Sequence, residues 1–335
     1  MNYFKTALIV ISFVFMNGGT LRAQHDSTYF VSYTKLLTTR FYFSQKYTAL
    51  TLKNKQDNYA IRYQPNTTLN MGVGASYKWA TLNIAYGFGF LNPDENKEKT
   101  KYLDLQFHGY GKKFVLDVLS QFYKGFYLYP KGAVAPDSYY SRPDLRVTAM
   151  GASFQYVVNH KRFSFRASTL QNEWQKKSAG TLLVGVEAYG GNIRADSTLV
   201  PVAINRIAAG RDERRTTFFE TGPNFGYAYT LVIKENFFVT GSASAGLNYG
   251  FSTIANEQGQ TRRFGFSPNA FLRLSAGYNS AKWAVCALYV NNGVRMTSFN
   301  SNRESTLNSG NLRLTYVHRF VPRGKEKRFL DGVFQ

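Results

Sequence analysis

The residues best equipped for chemistry are ionisable side chains that recur at one parity of short alternating segments. Lys78, Arg146, Arg166, Arg273 and Arg313 share that parity with Asp104, His108, Asp117 and Glu187. Asp104 and His108 stand four apart on one face of an extended chain, with Lys78 and Asp117 on nearby segments. Charges enclosed by a sheet must be paired or hydrated, so the set reads first as a network that fills and stiffens an interior. Its excess of Arg and Lys admits a sharper chemistry, a positive passage for small anionic solutes. Lipid hydrolysis is the other class these residues could serve, through a Ser–His pair oriented by an acid. The material for it is thin: four His (His25, His108, His160, His318), no Gly-x-Ser-x-Gly elbow and no metal-spaced His pair. No catalytic residue, metal ligand or cofactor is therefore expected.

Strands must position these residues. From Leu69 the odd positions run Leu69, Met71, Val73, Ala75, Tyr77, Trp79, against Asn70, Gly72, Gly74, Ser76, Lys78. After a short turn the apolar set resumes at Leu82, Ile84, Tyr86, Phe88, Phe90. Side chains alternate faces along a strand, so this is a hairpin with one apolar face and one small or polar face. In a soluble sandwich the second face would carry more charge. Here it is small, as the inside of a barrel requires, and aromatics lie at the margins of the apolar face. The pattern recurs at Leu103/Leu105/Phe107, at Met150/Phe154/Tyr156, at Phe163/Phe165/Ala167 with Arg166 opposite, and at Leu182/Val184/Val186. It continues from Pro223 through Leu314.

Segments of this kind lie near 39–53, 59–79, 82–91, 101–110, 113–124, 145–158, 162–172, 180–189, 217–230, 236–250, 264–278, 282–292 and 308–320. Single-chain barrels of this type have an even strand number. A further strand at Thr198–Arg206 would give fourteen, with Pro201 a mark against it, and loss of one weak segment would give twelve. The expected fold is all-β: an antiparallel transmembrane β-barrel of 12–14 strands, of the outer-membrane type, over residues 38–320. A soluble periplasmic β-sandwich that binds a ligand is the alternative.

The composition agrees. Of 335 residues, 24 are Tyr, 28 Phe and 3 Trp, which a disordered chain would lack, and a single Cys rules out a disulfide scaffold. The one long apolar run, Ala7–Met16, is half of the ~20 residues a spanning helix needs. Behind Lys5 and ahead of Leu21-Arg22-Ala23 it reads as the core of a secretory signal peptide, residues 1–23. Its removal takes Lys5 and Arg22, two cations, and lowers the net charge from +21 to +19. Residues 24–37 are then a periplasmic N-terminal segment and 321–335 a basic periplasmic tail. An exported barrel meets no nucleic acid, so the positive charge points instead to anionic lipid.

The long connections are 92–100, 124–144, 251–263 and 293–307. The second carries Gly125-Phe-Tyr-Leu-Tyr-Pro130 and Tyr139-Tyr140, which either cap the barrel mouth or offer a surface to sugars or partner proteins. Arg142, Arg262, Arg263 and Arg303 are the loop candidates for lipopolysaccharide, whose phosphates a guanidinium binds bidentately. The last segment, Leu312, Leu314, Tyr316, His318, Phe320, ends in an aromatic and resembles the C-terminal signal read by the barrel-assembly machinery. The expected partners are thus the lipid bilayer, lipopolysaccharide and that machinery, with a small solute left unnamed.

Several stretches resemble an uncharacterised domain-of-unknown-function family of outer-membrane proteins of Gram-negative bacteria. They include Tyr42-Phe-Ser-Gln-Lys-Tyr-Thr48, Tyr63-Gln-Pro-Asn-Thr-Thr-Leu-Asn-Met-Gly-Val-Gly74, Tyr86-Gly-Phe-Gly-Phe-Leu-Asn-Pro93 and Lys101-Tyr-Leu-Asp-Leu-Gln106. Glu173-Trp-Gln-Lys-Lys-Ser-Ala-Gly180 and Ala195-Asp-Ser-Thr-Leu-Val-Pro201 belong with them. The likeness spans roughly residues 27–320 and implies a porin-like barrel in the outer membrane. That family has no established activity, so no catalytic residue carries over. The function expected is structural, ligand-binding or the passage of small anionic solutes through a basic lumen. A lipid-modifying hydrolase embedded in the outer membrane is the alternative.

Overall fold

Alternation becomes strand almost wherever the sequence shows it. The computed structural model describes residues 25–56, 58–78, 80–88, 97–204, 213–256, 259–296 and 303–333. The expected signal peptide, Trp79, most of the 92–100 connection and Arg206 lie outside those residues. The strands are β1 (Phe30–Ser32), β2 (Leu37–Asn54), β3 (Tyr59–Gln64), β4 (Asn70–Tyr77), β5 (Ala80–Gly87), β6 (Lys101–Tyr110), β7 (Phe114–Tyr129), β8 (Ser141–Val157) and β9 (Glu173–Gln175). They continue as β10 (Ala179–Arg194), β11 (Arg215–Ile233), β12 (Phe237–Asn256), β13 (Gly259–Asn279), β14 (Trp283–Arg295) and β15 (Arg303–Phe320). A short helix, α1 (Phe165–Thr169), precedes β9, and α2 (Gly324–Val333) follows β15.

Ten strands form a closed antiparallel transmembrane barrel of the outer-membrane type, in the order β2, β3, β7, β8, β10 to β15 and back to β2. Closure runs from Phe320 opposite Leu37 to Arg303 opposite Asn54. We call the end that carries Leu37 and Phe320 the terminal rim, and the other the distal mouth.

The expected count of 12–14 is too high, for identifiable reasons. Residues 162–172 form no wall strand: their chain turns inward and coils into α1. The Thr198–Arg206 segment shows no strand among its described residues. The 59–79 segment is interrupted at 65–69, so that β3 pairs the distal half of β2 and β4 the terminal half. β5 pairs only β4, and β6 only β7, from Val115 to Lys124, so both stand outside the closed ring.

The outward face is apolar, with Val186 60%, Leu247 58% and Phe266 65% exposed. Strands β11, β12 and β13 have 19, 20 and 21 residues, well beyond the ~9–11 that cross a bilayer. Their distal ends therefore stand clear of the apolar band. The N-terminal segment is not loose either, because β1 pairs β9. The basic tail is helical and docked: Asp331 accepts from the Tyr77 hydroxyl at 2.9 Å and pairs with Lys78 Nζ at 2.8 Å. Those bonds, from Lys78 first and Tyr77 second, hold the Asp331 carboxyl below its ordinary pKa.

Candidate functional site: the filled lumen

The interior is occupied in three layers. At the terminal rim the connection from β8 to β10 enters the barrel as a plug. Ser164 caps α1 by accepting from the Ala167 amide at 3.1 Å, and its hydroxyl donates to Glu173 Oε2 at 2.5 Å. Phe163, Phe165 and Ala167, expected on the lipid face, are buried instead, the two Phe against Tyr110, Val115, Val157, Leu183 and Ala228. Arg166 lies within the plug and pairs with Glu173 at 3.4 Å.

The last turn of a helix leaves carbonyls without intrahelical donors. Here the barrel wall supplies those donors. Arg313 Nη2 donates to Thr169 O at 3.1 Å, and Arg40 donates to Leu170 O from Nη2 at 3.1 Å and from Nε at 3.3 Å. Arg319 Nε donates to Gln171 O at 3.1 Å, and the Cys286 thiol donates to Ser168 O at 3.3 Å. Four consecutive carbonyls are thereby tied to strands β2, β14 and β15.

Above the plug lies a polar belt. His108 Nδ1 and Asp117 Oδ1 are 2.6 Å apart, and the other Asp117 oxygen accepts from Arg273 Nη2, across the lumen on β13. Arg273 Nη1 donates to Gln155 Oε1 at 3.3 Å, and Gln155 Nε2 donates to Asn224 Oδ1 at 3.1 Å and to Ser244 Oγ at 2.9 Å. Asn224 then donates to Glu187 Oε2 at 3.0 Å, and Asn248 to Glu187 Oε1 at 2.7 Å. Asn269 bridges the two carboxylates, at 2.6 Å to Glu220 and 3.2 Å to Glu187. Glu187 folds against Gly246, where any Cβ would collide with its Oε1. A second cluster centres on Asp104, which accepts from Tyr123 at 2.6 Å and from Gln121 at 2.8 Å. Gln121 in turn accepts from Ser309 at 2.7 Å.

The distal mouth is closed by apolar packing. Leu50, Tyr63, Phe126, Leu145, Ile193, Phe218 and Met296 form one cluster, completed by Leu199 and Val200 of the connection after β10. A latch holds that connection down. Arg142 is buried and grips Asp144 bidentately at 2.8 and 2.9 Å, while donating to Thr198 O at 2.9 Å. Asp144 Oδ2 also accepts from the amides of Asp196 and Ser197, at 3.1 and 3.2 Å. We expect Asp144→Ala to free residues 195–200 and to expose the mouth to limited proteolysis, at a cost of about 3–5 kcal/mol for a buried pair that loses one member. Cleavage no faster than in the unaltered protein would contradict this.

The nine residues expected in the lumen therefore divide. His108, Asp117, Arg273 and Glu187 join one network, Asp104 a neighbouring one, and Arg166 and Arg313 the plug. Two leave the interior. Lys78 sits at the terminal rim against α2. Arg146 has the parity of Met150 and Phe154, so it faces outward and is exposed. The belt's amides and Glu220 were not singled out by the sequence, although Asn224, Asn248 and Asn269 alternate with the apolar set as consistently as the charges do. Of the loop arginines, Arg142 is not available to lipopolysaccharide, being spent on Asp144. Arg262 faces outward on β13, with its guanidinium 4.4 Å from the centre of the Phe251 ring. Arg263 is exposed at the mouth on the lumen-side parity, and Arg303 opens β15 opposite Asn54.

The aromatic 124–144 stretch is largely strand and cap. Phe126, Tyr127 and Leu128 are buried, and Tyr139 stacks edge-on against Tyr127 at 5.0 Å. His318 lies on the outward face, its ring 4.3 Å from that of Phe320. His108 Nε2 is buried without a hydrogen-bond partner, so among the described residues no serine stands beside it as a nucleophile would.

No curated protein matches the chain. Among solved structures, the outer membrane protease OmpT of Escherichia coli is 8% identical, with 86% of this chain and 97% of that one covered and a TM-score of 0.37. The outer-membrane expressed OmpT of Vibrio cholerae is 11% identical, with 85% and 98% covered and a TM-score of 0.27. The toluene transporter TodX of Pseudomonas putida is 7% identical, with 84% and 89% covered and a TM-score of 0.22. Likeness at that level lends this chain no activity, and the fold rests on its own strand pairing. The sequence profile of one family, by contrast, matches residues 24–320, and the chain belongs to that family, the domain of unknown function DUF4421.

Proposed function

We propose that this protein is an exported barrel of the Gram-negative outer membrane that stays closed and works through its surfaces, as a structural or ligand-binding component. The observation that carries this reading is the commitment of the interior arginines. Arg40, Arg313 and Arg319 each donate to one of the carbonyls of residues 169–171, and Arg273 is matched by Asp117. A basic conduit for anions would need those guanidinium groups turned toward water. In this reading the terminal rim, which carries the short turns 111–113, 234–236 and 280–282, faces the periplasm, and the distal mouth faces outward. Residues 1–23 serve as the export signal, and Leu312–Phe320 as the strand offered to the assembly machinery.

The test is single-channel recording of the full-length barrel, purified from outer-membrane fractions, in a planar bilayer. No unitary conductance is expected. Stable steps with anion preference would overturn the closed barrel in favour of a basic pore, and recovery of the protein from the soluble periplasm would overturn its location.

A further inference from the structure

The outer face of the wall carries a row of cations that the strand register aligns. Lys101 on β6 stands directly opposite Lys124 on β7, Lys124 opposite Arg146 on β8, Arg146 opposite Arg194 on β10, and Arg194 opposite Arg215 on β11. All five are exposed and outward-facing. Adjacent strands lie ≈ 4.8 Å apart, so the row spans about 19 Å of wall. Arg262 prolongs it on β13, one outward step nearer the apolar band, beneath which its guanidinium meets Phe251.

Like charges directly opposite one another destabilise a sheet, and five in succession are a standing cost unless an anion lies between them. Among the described residues no carboxylate pairs with any of the five, and Arg215 Nε and Nη2 lie 2.9 and 3.2 Å from the side-chain amide of Asn192. The row lies to one side of the apolar band and climbs along the wall, because the strands of a barrel are tilted about 35–45° from its axis. The next outward positions toward the terminal rim are Leu103, Phe122, Thr148, Asn192 and Thr217, and the ones after them are Leu105, Ser120, Met150, Gly190 and Phe219. The cations therefore stand on the distal side of the apolar band, at heights that differ along the row.

We propose that this row binds the phosphate groups of a bisphosphorylated glycolipid, the lipopolysaccharide anchor of the outer leaflet, whose acyl chains lie along the band below. Guanidinium groups suit phosphate because they bind it in a bidentate fork. The row replaces Arg142 as the place where lipopolysaccharide meets this protein.

The experiment compares the full-length barrel with its Lys124→Gln/Arg146→Gln/Arg194→Gln variant in neutral detergent, adding either the bisphosphorylated anchor or its dephosphorylated form. The unaltered barrel should unfold at a higher temperature with the bisphosphorylated form only. The variant should bind that form at least tenfold more weakly, and in detergent alone it should be as stable as the unaltered barrel or more so, since the repulsion is gone. An equal response from both proteins would overturn the proposal, as would an equal response to phosphatidylglycerol micelles. Should the triple variant fail to fold, Arg146→Gln alone with a salt titration decides. The glycolipid effect must shrink in the variant and fade with salt in the unaltered barrel, and an effect indifferent to both would overturn the row as the site.

Discussion

Asp117→Ala should lower the stability of the folded barrel by about 3–5 kcal/mol, the usual consequence of removing one member of a buried ion pair. The Arg273 side chain is 3% exposed and that of Asp117 7%, so neither charge can turn to bulk water when its partner goes. The guanidinium also lies 3.9 Å from the centre of the Phe271 ring, which fixes it in place. His108 Nδ1 loses the same acceptor. The measurement is the temperature at which the purified barrel loses its compact, fast-migrating form on heating. That temperature should fall clearly in Asp117→Ala and recover in large part in Asp117→Leu/Arg273→Met, because replacing both members by apolar groups is often neutral. An unchanged temperature in Asp117→Ala would mean the belt is hydrated and open.

The second large effect concerns the plug. In Arg40→Ala/Arg313→Ala/Arg319→Ala the carbonyls of Thr169, Leu170 and Gln171 lose their donors, at about 1–3 kcal/mol for each buried group left unsatisfied. The wall itself keeps its ladders, because the strand bound to this segment is β1, paired with β9, and neither belongs to the ring. The expected result is a folded, heat-modifiable barrel whose plug leaves the lumen part of the time, seen as flickering conductance in a bilayer where the unaltered protein shows none. A variant as silent as the unaltered barrel would mean that apolar packing of Phe163 and Phe165 holds the plug without the arginines.

Much of the wall was legible because period-two alternation has one physical meaning. The outward sets at Leu182/Val184/Val186, Phe225/Tyr227/Tyr229 and Leu312/Leu314/Tyr316 are exposed as that pattern requires. The plug was misread for the same reason. Phe163, Phe165 and Ala167 alternate, but five residues of helix cannot be told from strand by periodicity. The available signal was Ser164, a good N-cap residue at the head of the segment.

Within the site, charge drew attention and amides did not. Asp117, His108, Arg273 and Glu187 were found, yet the groups that join them are Gln155, Asn224, Asn248 and Asn269. Which cation pairs with which acid depends on barrel closure, and Arg273 reaches Asp117 across 156 residues of chain. The row on the outer wall was hidden in the same way, since Lys101, Lys124, Arg146, Arg194 and Arg215 become neighbours only through strand register.

The claim that the lumen is closed is tested most directly at Cys286, the single cysteine of the chain. It faces inward on β14, is 1% exposed, and donates to Ser168 O of the plug. The measurement is the rate at which a membrane-impermeant maleimide labels the folded barrel, set against the urea-unfolded chain. A filled lumen predicts that Cys286 stays unlabelled until the barrel unfolds. Labelling of the folded barrel at a rate close to that of the unfolded chain would mean a water-filled interior, and would contradict the account.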